Sequence, residues 1–357
     1  MEQVRRSLER HRDQLLRLPN VVGVGVGYKE TGGQVTGQLS IAVLVERKLP
    51  MAQLAPRHVV PRAVDDVVTD VIETGKIRAL GAGTPGDSNA GTLRNEVDGD
   101  PAGAGGRRWN PVSRLRPAMP GCSIAHYRVT AGTFGAVVRE RRGGSRGGSG
   151  SGSDSGSDSD SGSGIGSSGS GLALILSNNH VLANSTTGRD RRARRGDPVL
   201  QPGPHDGGKA EKDVIATLWR YIPISKRKIN LVDAALARPV APGLIRPEIL
   251  GLGKVVGTRE AVLGMEVRKS GRTTGLTSGV VRVLQATVKV EYGFARPVSF
   301  AGQIVTTAMS AGGDSGSLVL DRQNRAVGLL FAGSDLTTIM APINTVLELL
   351  EVELWED

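Results

Sequence analysis

From residue 119 onward the chain repeats one local pattern: a short run rich in Val, Leu, Ala and Thr, closed by Gly, Asn or Pro, then another run. GTFGAVVRER (132–141), LALILSNNHVL (172–182), DVIATLWRYIP (213–223) and SGVVRVLQATVKVEYG (278–293) lead the series, and QIVTTAM, SLVLD and AVGLLFAG continue it. Short runs with these residues suit a pleated surface, and closing them into a barrel or sandwich manages their unpaired edges. A last apolar run, NTVLELLEVEL (344–354), has helical spacing. The expected unit at 119–350 is therefore mostly β with a C-terminal helix, and 351–357 is left as an acidic tail.

Residues 1–80 read differently. In MEQVRRSLERHRDQLLRL, Val4, Leu8, Leu15 and Leu18 lie on related faces of an amphipathic helix that Pro19 stops. VVGVGVGYK (21–29), SIAVLVERK (40–48) and VTDVIETG look like strands, which makes a small α/β domain able to fold semi-independently. Gly, Pro, Asp and Asn without apolar periodicity fill 81–118, the place for a linker. One segment interrupts the β series: residues 143–171 hold 12 Gly and 12 Ser among 29 positions, too little apolar surface to order themselves. A disordered loop is expected there, ahead of the strand that ends in His180.

The 45 Lys and Arg against 35 Asp and Glu leave a formal charge of +10, which permits attraction to anionic surfaces without naming one. The charge gathers in RDRRARR (189–195) and in Lys226-Arg227-Lys228. With few aromatics interleaved, a solvated loop outranks nucleic-acid binding, while steering of an acidic substrate predicts activity that falls with salt. The lone Cys122 rules out an intrachain disulfide and a Cys-rich zinc site, and reads as a small buried hydrophobe. His11, His58, His126 and His205 have no metal-ligand spacing, so no metal and no cofactor are expected. Gly23, Gly25 and Gly27 form G-x-G-x-G, which is not the dinucleotide fingerprint; small residues packing under a helix suffice. No run approaches the roughly 20 apolar residues of a membrane span, and the opening helix lacks an uninterrupted apolar stretch, so a cytoplasmic chain without a membrane partner is expected.

Three local patterns carry chemistry. Gly312-Gly313-Asp314-Ser315-Gly316-Ser317 precedes the apolar LVL. Its glycines let backbone approach the serine closely, and the N–H groups of Gly313 and Ser315 can point together at one oxygen, as an oxyanion hole requires. Ser177-Asn178-Asn179-His180-Val181 puts a histidine at the end of an apolar strand. Val232-Asp233-Ala234-Ala235-Leu236 surrounds a carboxylate with apolar neighbours, where burial demands a donor such as an imidazole N–H. Alone, each residue has an ordinary structural reading: a β-turn serine, a core histidine, a strand-edge aspartate. Together, in the order His, Asp, Ser, they describe a triad. An α/β-hydrolase elbow is excluded because position 317 is Ser and no histidine follows His205.

In order and local sequence these segments resemble the triad segments of trypsin-like serine peptidases of chymotrypsin fold, and the histidine segment is similar to the bacterial HtrA-like branch. The resemblance covers about residues 119–350, and the N-terminal unit looks like the extra domain ahead of the peptidase in some bacterial members. It implies a chymotrypsin-like double β-barrel and a serine endopeptidase that hydrolyses a protein or peptide through an acyl-enzyme. Ser315 would be the nucleophile, His180 the base and then acid, Asp233 the group that orients the imidazole, and the Gly313 and Ser315 N–H groups the oxyanion donors. The resemblance also puts Met309 at the base of the specificity pocket, with Phe331 and Gly333 on its wall. Without a carboxylate there, an apolar side chain of modest size is expected in place of Lys or Arg. The chain departs from the pattern in that no Ile-Val-Gly-Gly-type terminus precedes the domain, so Asp314 has no evident ammonium partner and activation by chain cleavage is not expected. No PDZ-like segment follows either. The N-terminal unit is expected to regulate the enzyme or assemble it into a homo-oligomer. The rival from another class is a catalytically silent scaffold that keeps the fold, for which Ser315→Ala changes nothing.

Overall fold

The computed structural model describes residues 1–81, 110–141 and 172–355, so the insert at 143–171 and most of the linker lie outside the described residues. Helix α1 (Glu2–Arg17) begins with an acid and ends with a base, the polarity its dipole favours. Val4, Leu8 and Leu15 recur on one face and are buried against Val24 and Val26 of β1 (Val21–Thr31) and Ile41 and Val43 of β2 (Gln34–Val45). β3 (Ala63–Val64) and β4 (Val67–Glu73) complete this layer, β4 running parallel to β2 with Ile41 opposite Thr69. The short β5 (Arg78–Ala79) then leaves it.

The first barrel contains β6 (Ser123–His126), β7 (Gly132–Thr133), β8 (Ala136–Glu140), β9 (Ala173–Ser177), β10 (Pro198–Leu200), β11 (Val214–Tyr221) and β12 (Ala235–Pro239), with one turn of helix, α2 (Asn179–Leu182), after β9. Pairing follows the order β8, β9, β12, β11, β10, β6, β7. β7 runs through Phe134 and Gly135 into β8, and the bonds from Phe134 N–H to Cys122 (2.9 Å) and Gly135 N–H to Leu176 (3.0 Å) carry the pairing across that join, so the ring closes. Ile124, Phe134, Ile175, Val199 and Ile215 fill the interior together with Cys122, whose thiol burial pushes up to about 12. The end of the expected linker belongs to this body: Ala118 is buried and its N–H bonds the Leu244 carbonyl at 2.8 Å.

The second barrel is made of β13 (Glu266–Gly271), β14 (Gly275–Val290), β15 (Val298–Thr307), β16 (Leu318–Leu320), β17 (Ala326–Gly333) and β18 (Thr337–Pro342). Its order β13, β16, β17, β18, β15, β14 closes because β14 pairs back onto β13, with Val267 opposite Gly279. The chain continues through α3 (Ile343–Leu349) and returns to the first barrel as β19 (Val352–Leu354), paired with β8. The C-terminal expectations are thereby corrected: the helix is shorter than 344–354, and the supposed acidic tail contains a strand. Val352 and Leu354 are buried while Glu353 between them meets Arg139 at 2.6 Å, an alternation that a strand satisfies and a helix does not.

The mostly β fold with two barrels and a C-terminal helix is the expected class. The N-terminal unit, however, is not set apart from it. β1 pairs antiparallel with β14, so one sheet runs from β3 into the second barrel, and Ala42 and Leu44 of β2 share a core with Val288, Phe300 and Phe331. Here the G-x-G-x-G run finds its reason. Alternation sends Val24 and Val26 of β1 to the helix and the glycines to the other face, where a Cβ on Gly23 would come within 2.9 Å of Val288 and one on Gly25 within 2.9 Å of the Leu284 carbonyl oxygen. The glycines permit approach to β14; they do not pack under the helix as expected.

Candidate active site

His180 sits in α2, three residues past the end of β9 and not on the strand as expected, and its position is fixed by the side chains before it. Ser177 donates its hydroxyl to the Thr133 carbonyl (2.7 Å), Asn178 its amide to the Asp233 carbonyl (2.7 Å), and Asn179 its amide to the Ile222 carbonyl (2.8 Å). These bonds tie the loop after β9 to the segment before β12. Asp233 is fully buried and takes three donors: the His180 backbone N–H (3.2 Å), His180 Nδ1 (2.6 Å) and the Tyr292 hydroxyl (2.5 Å). Burial, then the charge of Asp233, pushes the Tyr292 phenol well above its ordinary value, so it stays protonated and donates. Its ring meets His180 edge-on at 5.9 Å and stacks on Phe300 at 5.8 Å. Tyr292 was not singled out in the sequence, although it stands in one of the few aromatic clusters of an aromatic-poor chain.

Ser315 lies on the turn between β15 and β16, fully buried, and its Oγ donates to the Phe331 carbonyl at 3.2 Å. The structure thus brings His180 and Asp233 into direct contact, while the Ser315 hydroxyl is turned to β17 and His180 Nε2 is buried with no hydrogen-bond partner among the described residues. Gly313 and Gly316 both have φ of +95°, a left-handed conformation that an L side chain strains. At Gly313 a Cβ would also meet Thr273 Oγ1 at 2.5 Å.

Asp314, between them, holds the turn from inside. Its carboxylate accepts from the backbone N–H groups of Thr273 (2.9 Å), Thr274 (3.1 Å) and Ala311 (3.0 Å), from the Thr274 hydroxyl (2.6 Å), and from Lys269 Nζ (3.0 Å). Burial alone would push Asp314 up; the Lys269 ammonium and these donors hold it below the usual carboxylate range. Both side chains are fully buried. Asp314 therefore has its ammonium after all, from within β13, and the expectation that it lacks one is corrected. Strand alternation carried the signal, since Val267 and Lys269 share the inward face.

The proposed pocket residues surround a residue of the N-terminal segment. Leu80 is 8% exposed and packs with Val267, Val281, Met309 and Leu330, and a Cβ on Gly333 would lie 3.3 Å from Leu80 Cδ1. Phe331 contributes its backbone, while its ring turns away to meet Phe300 at 4.8 Å. The Gly313 N–H is used: it donates to the Leu80 carbonyl at 2.9 Å. The two basic runs converge nearby, with Arg192 and Lys226 over the Phe294 ring at 5.1 and 4.1 Å.

No known protein-family model matches the chain. Serine protease 1 of Streptomyces fradiae is 44% identical over 66 residues, which are 18% of this chain and 17% of that protein. The match thus spans far less than two thirds of the relative's length. Among solved structures, Thermobifida fusca protease A is 19% identical, covering 67% of this chain and 100% of that one with a TM-score of 0.44. Cellulomonas bogoriensis chymotrypsin is 18% identical, covering 67% and 98% with a TM-score of 0.40. Independently of these likenesses, two closed antiparallel barrels, with His180 and Asp233 carried by the first and Ser315 by the second, make the chain a chymotrypsin-like double β-barrel.

Proposed function

We propose that the chain is a serine endopeptidase that hydrolyses protein or peptide substrates through an acyl-enzyme on Ser315. The observation that carries this reading is the buried Asp233 carboxylate on His180 Nδ1 at 2.6 Å, beside a turn whose Gly313 N–H already holds a peptide carbonyl. In this reading Ser315 rotates about its Cα–Cβ bond so that Oγ leaves the Phe331 carbonyl for His180 Nε2, which has no partner among the described residues. His180 then takes the hydroxyl proton, Asp233 fixes the imidazole so that Nε2 is the accepting nitrogen, and the Gly313 and Ser315 N–H groups receive the charge on the carbonyl oxygen.

Similarity to a serine protease of Streptomyces fradiae over 66 residues supports the same reading. A fluorophosphonate probe is expected to label Ser315 in the wild-type chain or in a Leu80→Asp variant that empties the cleft, and to leave Ser315→Ala unlabelled. Absence of label from both active-serine chains overturns the proposal. The silent-scaffold alternative draws on the Ser315 hydroxyl facing Phe331, and predicts that same absence.

Tyr292 acts here as a positioning residue. A hydrogen bond to a charged group contributes about 1.5–3 kcal/mol, so Tyr292→Phe is expected to lower kcat by roughly 10- to 100-fold. KM is expected to stay near wild type, because the lost hydrogen bond is the one to Asp233 and the ring that lines the cleft is kept. A change confined to KM would remove this role.

A further inference from the structure

We infer that the chain is its own substrate and that the bond it cuts is Leu80–Gly81. The inference rests on the peptidase reading and names that site's first substrate and its side-chain preference.

Residues 77–80 lie in the cleft as an extended strand held on both edges. Arg78 and Ala79 pair antiparallel with Gly333 and Ala332 of β17, and the Leu80 N–H bonds the Phe331 carbonyl at 3.3 Å. On the opposite edge, Ala79 N–H bonds the Glu291 carbonyl at 3.0 Å, and Glu291 N–H bonds that of Ile77 at 2.9 Å. This register leaves the Leu80 carbonyl on the N–H of Gly313 at 2.9 Å, two residues from Ser315. The Leu80 side chain is buried in the apolar cluster that includes Val267, Val281, Met309 and Leu330, with Cδ1 beside Gly333. Gly81 follows in a cleft of about 460 Å³ that His180 also lines. The carbonyl of one peptide bond thus lies on an oxyanion donor and its side chain in an apolar cluster, while the departing Gly81 nitrogen, now donating to the Ala79 carbonyl at 3.0 Å, lies in the cleft that His180 lines.

The balanced steps follow from those positions. Ser315 Oγ forms a bond to the Leu80 carbonyl carbon and gives its proton to His180 Nε2. The C–N bond to Gly81 breaks and His180 passes the proton to the Gly81 nitrogen. Water then hydrolyses the Leu80 ester, restoring the Ser315 hydroxyl and leaving a new Leu80 carboxylate and a new Gly81 amine. The cut alone does not empty the cleft. Residues 1–80 stay attached through the β1–β14 pairing and through Ala42 and Leu44 in the shared core, so the released piece remains as a product inhibitor. The expectation that the N-terminal unit regulates the enzyme acquires a physical form in this contact.

The test follows the full chain by intact mass and N-terminal sequencing. Wild type is expected to yield a fragment beginning at Gly81, at a rate unchanged over a 100-fold dilution, while Ser315→Ala stays whole. One misplaced methylene in an apolar pocket already costs about 10- to 200-fold, so Leu80→Asp is expected to slow the cut by more than about 100-fold. Fluorophosphonate labelling and hydrolysis of a peptide p-nitroanilide ending in leucine are measured on the same samples. A labelled, hydrolysing chain that stays whole, or starts at another residue, overturns the inference and leaves the peptidase reading standing. A Gly81 terminus that also appears in Ser315→Ala overturns it too, because another protease then made the cut. Neither label nor hydrolysis in wild type and Leu80→Asp removes both.

Discussion

Asp233→Asn, placed in the Leu80→Asp background so that the cleft is open, is expected to lower kcat/KM on a peptide substrate by about 10⁴. The carboxylate accepts three hydrogen bonds, from the His180 backbone, His180 Nδ1 and the Tyr292 hydroxyl. An asparagine offers one acceptor oxygen and an NH₂ that can only donate. With the amide oxygen in the Oδ2 position the NH₂ faces the His180 backbone N–H, and turned the other way it faces both His180 Nδ1 and the Tyr292 hydroxyl. If the NH₂ faces Nδ1, the imidazole must carry its proton on Nε2 and can no longer take one from Ser315. Steady-state kinetics with active-site titration measures the effect. A loss below tenfold means that Asp233 does not set the tautomer of His180, and the proposed mechanism fails.

Lys269→Met is the largest expected change in stability. The methionine fills much of the same space, but Asp314 is left buried without its ammonium, and breaking one side of a buried pair costs about 3–5 kcal/mol. Denaturant unfolding reads this directly. Its pH dependence provides a second check. In wild type the Asp314 pKa is depressed below the ordinary carboxylate value of 3.8, so the unfolded chain binds more protons in that window; the pair's stabilisation is present above about 3.8 and is lost as pH falls through the folded value. In the variant, burial is no longer opposed by Lys269, and the folded state resists ionising the acid. The gap between wild type and variant therefore widens as pH rises from about 3 to 7. An equal gap at both ends shows that the pair is not what stabilises the turn. Loss of the turn also misplaces the Gly313 N–H, so peptidase activity should fall with stability.

Local chemistry made much of this molecule legible. The alternation in 132–141 and 213–223, the turn glycines and the helical spacing of 1–18 correspond to β7 and β8, β11 and α1, since each depends on neighbours a few residues away. His180, Asp233 and Ser315 stand out from their segments for the same reason. What escaped was set at long range. Tyr292 looks like one more strand aromatic until the segment after β14 is brought against the one before β12. Leu80 lies at the edge of a Gly- and Pro-rich stretch where the apolar pattern stops, and only the fold shows that β17 has room for it. At the C-terminus, VELWED continues a helical apolar run in sequence, yet pairing with β8, with Val352 opposite Glu140 and Leu354 opposite Val138, makes part of it a strand.

The sequence by itself determined where most of the strands and the first helix fall, and which three side chains have the chemistry for acyl transfer. Those properties follow from turn residues, alternation and side-chain type, which act over a handful of positions. The tertiary structure decided which charges are paired and what occupies the cleft. Lys269 meets a carboxylate 45 residues away, and Leu80 meets an N–H group in the other half of the chain. The cost of burying a charge or filling a pocket depends on the group brought opposite it, and that group is chosen by the closure of the two barrels.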